Sequence, residues 1–163
     1  MTQLTPTRRS ALSMLAAGVA IPVLAACGSS AKAATFKIKL TDAQWKAKLS
    51  PAAYQVLRHE DTERPFTSSL NNEHRTGTFL CAGCNNELYA SGTKFDSGTG
   101  WPSFWKPLPG AIGTLTDHKL GYARNAVYCA DCGGHLGHVF DDGPKPTGLR
   151  YCMNGVAMKF RPA

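Results

Sequence analysis

Six cysteines carry the most specific chemical signal in this chain, and four of them form two Cys-x-x-Cys pairs. Cys81 pairs with Cys84, and Cys129 pairs with Cys132. Two such turns can present four thiolates as a tetrahedron, which is the arrangement that zinc prefers in closed structural sites. The alternatives are iron at the same site or two disulfides, although a disulfide within a Cys-x-x-Cys turn is usually a redox couple. We therefore expect these four cysteines to hold one structural Zn²⁺ per chain.

Cys152 lies outside these pairs, in the segment formed by residues 148–154. A lone cysteine is more often an inert small hydrophobe than a nucleophile. Alternate residues of a strand share a face, so a strand here would place Arg150, Cys152 and Asn154 side by side. A guanidinium beside a thiol favours the thiolate, which is the reactive form of cysteine. The segment leaves two interpretations open, an inert cysteine and a reactive one activated by Arg150.

Two further segments supply groups that could assist a reactive cysteine. Trp101 lies in an aromatic turn segment, residues 98–105, whose composition alone is typical of a hydrophobic corner. His135 and His138 are three residues apart, and as isolated residues they could be zinc ligands or ordinary histidines. A nucleophile and a titratable partner are the usual requirement for thiol chemistry, so these histidines favour a reactive Cys152.

Composition and charge narrow the classes of function. The chain has 163 residues, of which 43% are hydrophobic and 18% charged, and this fits one globular domain with a short extension. The formal net charge is +7, but the Lys and Arg residues of positions 27–163 are scattered without a basic run. We interpret the surplus as a solubilising surface and expect no nucleic-acid partner, since no basic helix or aromatic stacking repeat appears.

The N-terminal residues have the features of an export signal. Arg8 and Arg9 precede an apolar run, residues 11–26, that is too short to span a bilayer as an ordinary helix. The paired arginines are typical of twin-arginine export. Leu24-Ala25-Ala26-Cys27 looks like a bacterial lipoprotein cleavage box, and an ordinary cleaved signal peptide is the alternative.

These features predict how the chain is divided and where it works. We expect a signal peptide at residues 1–26 and a flexible tether at residues 27–35. Lipid on Cys27 would be the only link to a membrane. The mature protein is then exported, as a periplasmic protein or a membrane-anchored lipoprotein, to a compartment where disulfides persist.

The rest of the sequence predicts a mainly β fold of the α+β class. Residues 36–40 alternate apolar and polar side chains, as a short strand does. Thr41-Asp42-Ala43-Gln44 has the pattern of a capping box for a helix ending near Leu49, and Ser50-Pro51 begins a second helix through Leu57. Short strands separated by Gly, Pro and Asn follow at residues 78–81, 87–89, 112–117, 125–129, 136–140, 149–154 and 156–160. We expect one domain over residues 36–163, with short N-terminal helices and a small antiparallel β-sheet core.

Taken together, these motifs resemble a known family. Residues from about Trp45 to Phe160 closely resemble methionine sulfoxide reductase B, an enzyme that acts on the R epimer of methionine sulfoxide. The resemblance covers nearly the whole mature domain, with the segments in the order that the family has. The matching segments are both Cys-x-x-Cys turns and residues 62–66, 94–104, 135–144 and 146–154.

The resemblance implies a thiol mechanism. Cys152 would be the thiolate that attacks the sulfoxide sulfur, and Arg150 would lower the pKa of Cys152 and orient it. His138 would donate or relay the proton that makes the sulfoxide oxygen a leaving group, a step that general acid catalysis typically assists by ~10²–10⁴-fold. The products would be methionine and a sulfenic acid on Cys152, which is the first and reversible stage of cysteine oxidation.

The resemblance also implies the surroundings of the reaction. Three polar residues, His135, Asp142 and Asn154, would hold the oxygen and a bridging water. Trp101 would stack against the substrate methyl and select the R epimer by shape, with Phe104 as a second substrate-binding residue. The substrate would be oxidised methionine, mainly in proteins, and the enzyme would act as a monomer.

The sequence departs from the family's pattern at two positions. Many members carry a resolving cysteine in the loop before Gly-Trp-Pro-Ser-Phe, and Thr99 stands at that position here. With the other cysteines assigned to metal or lipid, the Cys152 sulfenic acid must be reduced by an external thiol. That reductant would be a thioredoxin-like protein or a small thiol. Ala126 stands where an acidic residue is common, and no consequence follows from the sequence alone.

Two other functions remain alternatives at this stage. A zinc-stabilised module could bind oxidised proteins without turnover, but the joint presence of Cys152, Arg150, His138 and Asn154 argues against that. A zinc hydrolase would need an open coordination position and usually some His or carboxylate ligands, so four thiolates argue against it.

Overall fold

The computed structural model describes residues 35–163. The predicted export signal, Cys27 and all but the last residue of the predicted tether lie outside the described residues. Within the described part of the chain, no helix combines the length and the apolar character that crossing a bilayer requires.

Two α-helices open the described chain where their caps predict them. Helix α1 spans Asp42–Lys48, and Thr41 and Gln44 exchange the two hydrogen bonds of a capping box at its start. Helix α2 spans Pro51–His59, and the Ser50 hydroxyl accepts a backbone amide three residues later at 3.2 Å. The prediction of both helices is confirmed, although α2 continues past the predicted end.

The β-strands of the described residues form two antiparallel sheets. In chain order the strands are β1 (Gly77–Cys81), β2 (Glu87–Ala90), β3 (Lys94–Phe95), β4 (Ser103–Phe104), β5 (Ile112–Asp117), β6 (Arg124–Cys129), β7 (His135–Phe140), β8 (Arg150–Met153) and β9 (Met158–Pro162). One sheet has the strand order β2-β1-β9, and the other has the order β3-β4-β8-β7-β6-β5. Because the strand pairs are antiparallel, the predicted mainly β, α+β class is confirmed.

The strand predicted at residues 36–40 is wrong. The Ile38 amide donates to the Asp131 carbonyl at 2.9 Å, but the segment has no repeated ladder of hydrogen bonds with a neighbouring strand. Phe36 packs against Tyr128 instead, edge to face, with ring centroids 5.8 Å apart. The alternating residue types therefore mark a segment that lies along the domain without joining a sheet.

The last strand begins later than predicted because the backbone amides just before it are hydrogen-bonded to a carboxylate. The Glu63 carboxylate accepts the amides of Gly155 at 2.6 Å and Val156 at 3.2 Å. These residues form the 3₁₀ turn Gly155–Ala157, and β9 starts only at Met158. Strands β3 and β4 were not predicted, since two residues are too few for a periodic signal.

Three buried aromatic rings join the two sheets. Phe104 on β4 stacks on Tyr89 of β2 at 4.2 Å and meets Phe79 of β1 edge to face at 4.9 Å. All three side chains are fully buried. The prediction that Phe104 binds substrate is therefore corrected. Successive strand residues face opposite sides of a sheet. The Ser103 side chain therefore lies on the side of Cys152, and the Phe104 side chain points into the core.

A β-bulge in β7 sets the positions of the two histidines. His135 is paired with Tyr128, and Gly137 is paired with Val127, so the extra residue between them is Leu136. In a regular strand, residues three apart point to opposite faces. The extra residue instead lets the rings of His135 and His138 approach to 5.3 Å between centroids.

Strand register places the cysteine singled out above between two polar neighbours. Cys152 on β8 is paired with His138 on β7 and with Ser103 on β4. Gly137 is required for this approach of strands, because a Cβ atom there would lie 2.1 Å from the carbonyl oxygen of Cys152. The sheet thus fixes the backbone on both sides of the thiol.

Candidate active site and metal cluster

Cys152 is half-buried and lines a cavity of about 120 Å³. The cavity is also lined by Trp101, His138, Asn154, Arg124 and Thr62. The structure therefore brings together four of the residues predicted for the site. The Cys152 sulfur, an imidazole and an indole thus share one small space.

Burial and polar contacts act on the Cys152 thiol in opposite directions. Burial raises the pKa of the thiol above its ordinary value. A hydrogen bond with Thr99, the charge of Arg150 and a hydrogen bond with Ser103 each lower that pKa, but burial exceeds them. The charge of Arg150 thus acts in the direction expected of it and lowers the pKa of Cys152, but it only reduces the effect of burial.

Arg150 is held by Asp142 and an aromatic ring. Its guanidinium donates to the two Asp142 carboxylate oxygens at 2.8 and 2.7 Å and lies 4.5 Å from the Phe140 ring centroid. The Asp142 pair raises the pKa of Arg150, and the same hydrogen bond lowers the pKa of Asp142. Asp142 thus positions the guanidinium near the thiol and does not itself line the cavity.

His138 is coupled to a carboxylate that the sequence did not reveal. Its Nε2 atom donates to Asp117 Oδ2 at 2.5 Å, and Arg124 donates to both Asp117 oxygens at 3.1 and 3.3 Å. Burial lowers the pKa of His138, and the Asp117 hydrogen bond partly offsets this. Burial raises the pKa of Asp117, but its hydrogen bonds from His138, Lys119 and Arg124 bring it well below the usual range.

The second histidine stays neutral and lies beside the first. His135 is 6% exposed, and burial followed by the charge of His138 lowers the pKa of its ring to about 4. A ring with that pKa is a neutral imidazole at neutral pH, so it lacks the second proton that makes an imidazolium an acid. His135 therefore supports the position of His138 by contact and does not compete with it as the acid.

Glu63 fixes both Trp101 and Asn154 at the cavity. The Trp101 indole Nε1 donates to the Glu63 carbonyl at 2.9 Å. Asn154 is buried, and its Oδ1 accepts the Glu63 amide at 2.8 Å while its Nδ2 donates to the Leu136 carbonyl at 3.1 Å. Both side chains are thus held rigidly, and one Asn154 amide hydrogen remains for a further bond.

The four remaining described cysteines form a compact sulfur cluster. The sulfur atoms of Cys81, Cys84, Cys129 and Cys132 all lie within 4.8 Å of one another, and all four are free thiols. Cys81 and Cys132 are 3.7 Å apart, and Cys84 and Cys129 are 3.5 Å apart. A tetrahedral ion with ~2.3 Å bonds to sulfur would separate the sulfurs by about 3.8 Å. The cluster therefore fits a metal ion and not two disulfides, whose sulfurs would be ~2.0 Å apart.

Comparison with known proteins shows which family this chain belongs to. The SelR domain model matches residues 49–162. The chain belongs to the SelR domain family. That match includes every residue of the cavity and of the sulfur cluster.

Named relatives of this SelR domain are methionine sulfoxide reductases. "Peptide methionine sulfoxide reductase MsrB" of Agrobacterium fabrum strain C58 is 50% identical over 127 residues, which are 77% of this chain and 94% of that protein. The protein of the same name from Pseudomonas putida strain W619 is 52% identical over 127 residues, with 77% and 96% coverage. The one from Leptospira interrogans is 45% identical, with 77% and 97% coverage. The predicted membership in the MsrB family is confirmed.

Asp117 and Arg124 are the site residues that sequence reasoning missed. They are opposite each other at the turn end of the β5–β6 hairpin, and β6 in turn is paired with β7, which carries His138. The sequence offers one signal for them, because an acid and a base flank a short turn between two predicted strands. Nothing in the sequence shows that this hairpin lies next to β7.

Replacement of Asp117 by Asn should lower the pKa of the His138 ring still further. Loss of the hydrogen-bonded carboxylate removes the contribution that raises this pKa, while burial continues to lower it. We expect a shift of about one pH unit, the size of one charge-assisted hydrogen bond. The His138 titration can be followed by NMR. Glu87→Gln is the matched control, because it removes one carboxylate from the other sheet. An unchanged or raised His138 pKa in Asp117→Asn would contradict this coupling.

Proposed function

We propose that this SelR domain reduces the R epimer of methionine sulfoxide, mainly in proteins, to methionine through a Cys152 sulfenic acid. The observation that supports this most directly is the single cavity shared by Cys152, His138 and Trp101. The name of the relatives, peptide methionine sulfoxide reductase MsrB, supplies the reaction class. The cavity supplies a nucleophile, a proton donor and an apolar wall for the methyl group.

The proposed step balances in atoms and electrons. The Cys152 thiolate attacks the sulfoxide sulfur, and His138 gives a proton to the sulfoxide oxygen. The attack forms a bond between the two sulfurs. The hydroxyl then moves from the methionine sulfur to the cysteine sulfur as this bond breaks, and the bonding electron pair returns to the methionine sulfur. Methionine sulfur is reduced by two electrons, and Cys152 is oxidised by two to the sulfenic acid.

The contacts of His138 indicate which of its nitrogens acts. Asp117 already accepts the hydrogen on Nε2, so the second proton of the imidazolium lies on Nδ1. We assign Nδ1 as the nitrogen that donates to the sulfoxide oxygen. Asp117 would then stabilise the charged ring before the transfer and hold its orientation.

An external thiol would complete the cycle. Among the described cysteines, all but Cys152 belong to the sulfur cluster, and Thr99 Oγ1 is 3.8 Å from the Cys152 sulfur. The position at which many family members carry the resolving cysteine thus has a hydroxyl, which cannot form a disulfide. One external thiol would condense with the sulfenic acid and release water, and a second would free Cys152 as a thiol. A thioredoxin-like protein or a small thiol could serve.

Zinc is the metal that we propose for the sulfur cluster. Four thiolates with tetrahedral spacing are a donor set that zinc favours, and they leave no open coordination position for catalysis. Cys81 and Cys129 end β1 and β6, and Cys84 and Cys132 lie in the turns that follow. The bound ion would therefore tie the two sheets together. Elemental analysis should find one zinc per chain, and iron in its place would contradict the assignment.

We also propose that the chain works outside the cytoplasm. The support is the sequence Arg8-Arg9 before an apolar run and the cleavage-box pattern ending at Cys27. Fractionation of expressing cells should find the mature domain in the periplasm or on the membrane. Retention in the cytoplasm would contradict the proposal.

Turnover with separated epimers tests the proposed reaction. Purified chain, an excess of dithiothreitol and a peptide containing methionine R-sulfoxide should yield methionine. The S-sulfoxide peptide should react at least about 100-fold more slowly, because the rigid Trp101 wall accepts the methyl group in one configuration. Equal rates for the two epimers would contradict the proposed fit, and no turnover of either would contradict the reaction.

A further inference from the structure

A chain of hydroxyl groups leads from the Cys152 sulfur into the sheet. The Thr99 hydroxyl lies 3.8 Å from the sulfur and 2.8 Å from the Ser97 hydroxyl. Ser97 lies 2.7 Å from the Ser103 hydroxyl, and Ser103 donates to the Trp101 carbonyl at 3.1 Å. The proposed reaction uses the sulfur at one end of this chain, but it gives no role to the hydroxyls.

Proton counting fixes the direction of the chain when Cys152 is a thiol. A carbonyl only accepts, and each hydroxyl has one proton. Ser103 donates its proton to the Trp101 carbonyl, so it must accept a hydrogen bond from Ser97. By the same count Ser97 accepts from Thr99, and Thr99 accepts from the Cys152 S–H. Every hydrogen bond of the chain then points away from the sulfur, an arrangement that stabilises the uncharged thiol.

A thiolate requires the opposite direction. The charged sulfur has no proton to give and needs donors, so the Thr99 hydroxyl must turn towards Cys152. Ser97 can then donate to Thr99, and Ser103 can donate to Ser97. Ser103 loses its hydrogen bond to the Trp101 carbonyl when it does so. Hydroxyl rotations alone achieve this reversal, without movement of the backbone.

We propose that Thr99 and Ser97 are positioning residues, which stabilise the Cys152 thiolate through a hydroxyl chain that reverses direction when the sulfur loses its proton. The proposal deepens the proposed function, since it concerns the same nucleophile. It assigns Thr99 a role of its own at the position where the sequence lacks a resolving cysteine. Ser97 has its role only through Thr99 and Ser103.

Thr99→Val is the direct test, because valine has a similar shape and no hydroxyl. The alkylation rate of Cys152 by iodoacetamide is measured against pH in the zinc-loaded full chain, by mass spectrometry of the Cys152 peptide. We expect the midpoint to rise by about one pH unit and the rate at pH 7 to fall about tenfold. Thr99→Ser, which retains the hydroxyl, should restore both. Thr114→Val on exposed β5 is the matched control and should behave like wild type.

The comparison between variants isolates the hydroxyls from the charged groups around Cys152. Those groups are Arg150 on β8, His138 on β7 with its partner Asp117, and Arg124 on β6. Strand β4 contributes Ser103, which has no charge. None of the charged residues is altered in the variants, so their titration is common to every curve.

A double-mutant cycle tests the chain itself. Ser97→Ala alone should raise the alkylation midpoint, but its effect should be much smaller in the Thr99→Val background, because only Ser103 then joins Ser97 to the sulfur. A wild-type midpoint in Thr99→Val would overturn the proposal, and so would a Ser97→Ala shift of full size in the double variant. Alkylation needs no sulfoxide, so these results are independent of whether the proposed reaction occurs.

Discussion

Cys152→Ser is expected to lower turnover of methionine R-sulfoxide by at least about 10³-fold, the order of loss seen when a catalytic nucleophile is removed. Serine keeps the size and hydrogen bonding of the side chain, but its hydroxyl is not ionised at neutral pH. It also cannot take up the sulfoxide oxygen as a sulfenic acid. Methionine release is measured by chromatography at saturating dithiothreitol.

Two comparisons make this loss specific. Cys27→Ser removes a sulfur outside the described domain and should leave turnover unchanged. The Cys152→Ser protein should unfold at nearly the wild-type temperature, since the side chain is half-buried and the atoms differ little in volume. If Cys152→Ser retained turnover within a few fold of wild type, the sulfur would not be the nucleophile.

Cys81→Ser is expected to have the largest effect on stability. Binding of structural zinc contributes about 10–16 kcal/mol in small zinc domains at neutral pH, whereas a whole domain is stable by only ~5–15 kcal/mol. Cys81 is fully buried on β1, with its sulfur 3.7 Å from that of Cys132 across the cluster. Loss of this ligand should therefore leave a chain without a cooperative thermal transition, as followed by circular dichroism.

Cys152→Ser is the matched control for this prediction, because it makes the same change of atom outside the cluster. It should retain one zinc and a normal transition. In the wild type, a strong chelator should remove the metal and abolish the transition, and added zinc should restore it. A metal-free Cys81→Ser protein that unfolded at the wild-type temperature would show that the cluster does not support the fold.

Local chemistry made the helices and the metal ligands predictable. The Thr41 capping box and the Ser50-Pro51 start are set by neighbouring residues, and the structure has both. The two Cys-x-x-Cys turns also converge as expected, because a tetrahedral site requires it. The caps and each single Cys-x-x-Cys turn depend on residues within a few positions of each other, whereas the convergence of the two turns was inferred from the geometry of a shared metal site.

The details of the active site depend on strand order and register, which the sequence does not show. The bulge at Leu136 turns His135 and His138 towards each other. The β5–β6 hairpin places Asp117 within hydrogen-bond distance of His138. Phe104 was assigned to the substrate on the family resemblance, yet alternation along β4 turns its side chain into the core. Burial likewise outweighs Arg150 in its effect on the Cys152 pKa.

A single turnover without reductant is the most direct test of the proposed mechanism. The full chain is mixed with an equal amount of methionine R-sulfoxide peptide, treated with dimedone, digested and analysed by mass spectrometry. This mechanism predicts one methionine formed per chain and a dimedone adduct on Cys152, with neither product from the S-sulfoxide peptide. The absence of methionine, or a disulfide between Cys152 and another cysteine of the same chain in place of the adduct, would contradict it.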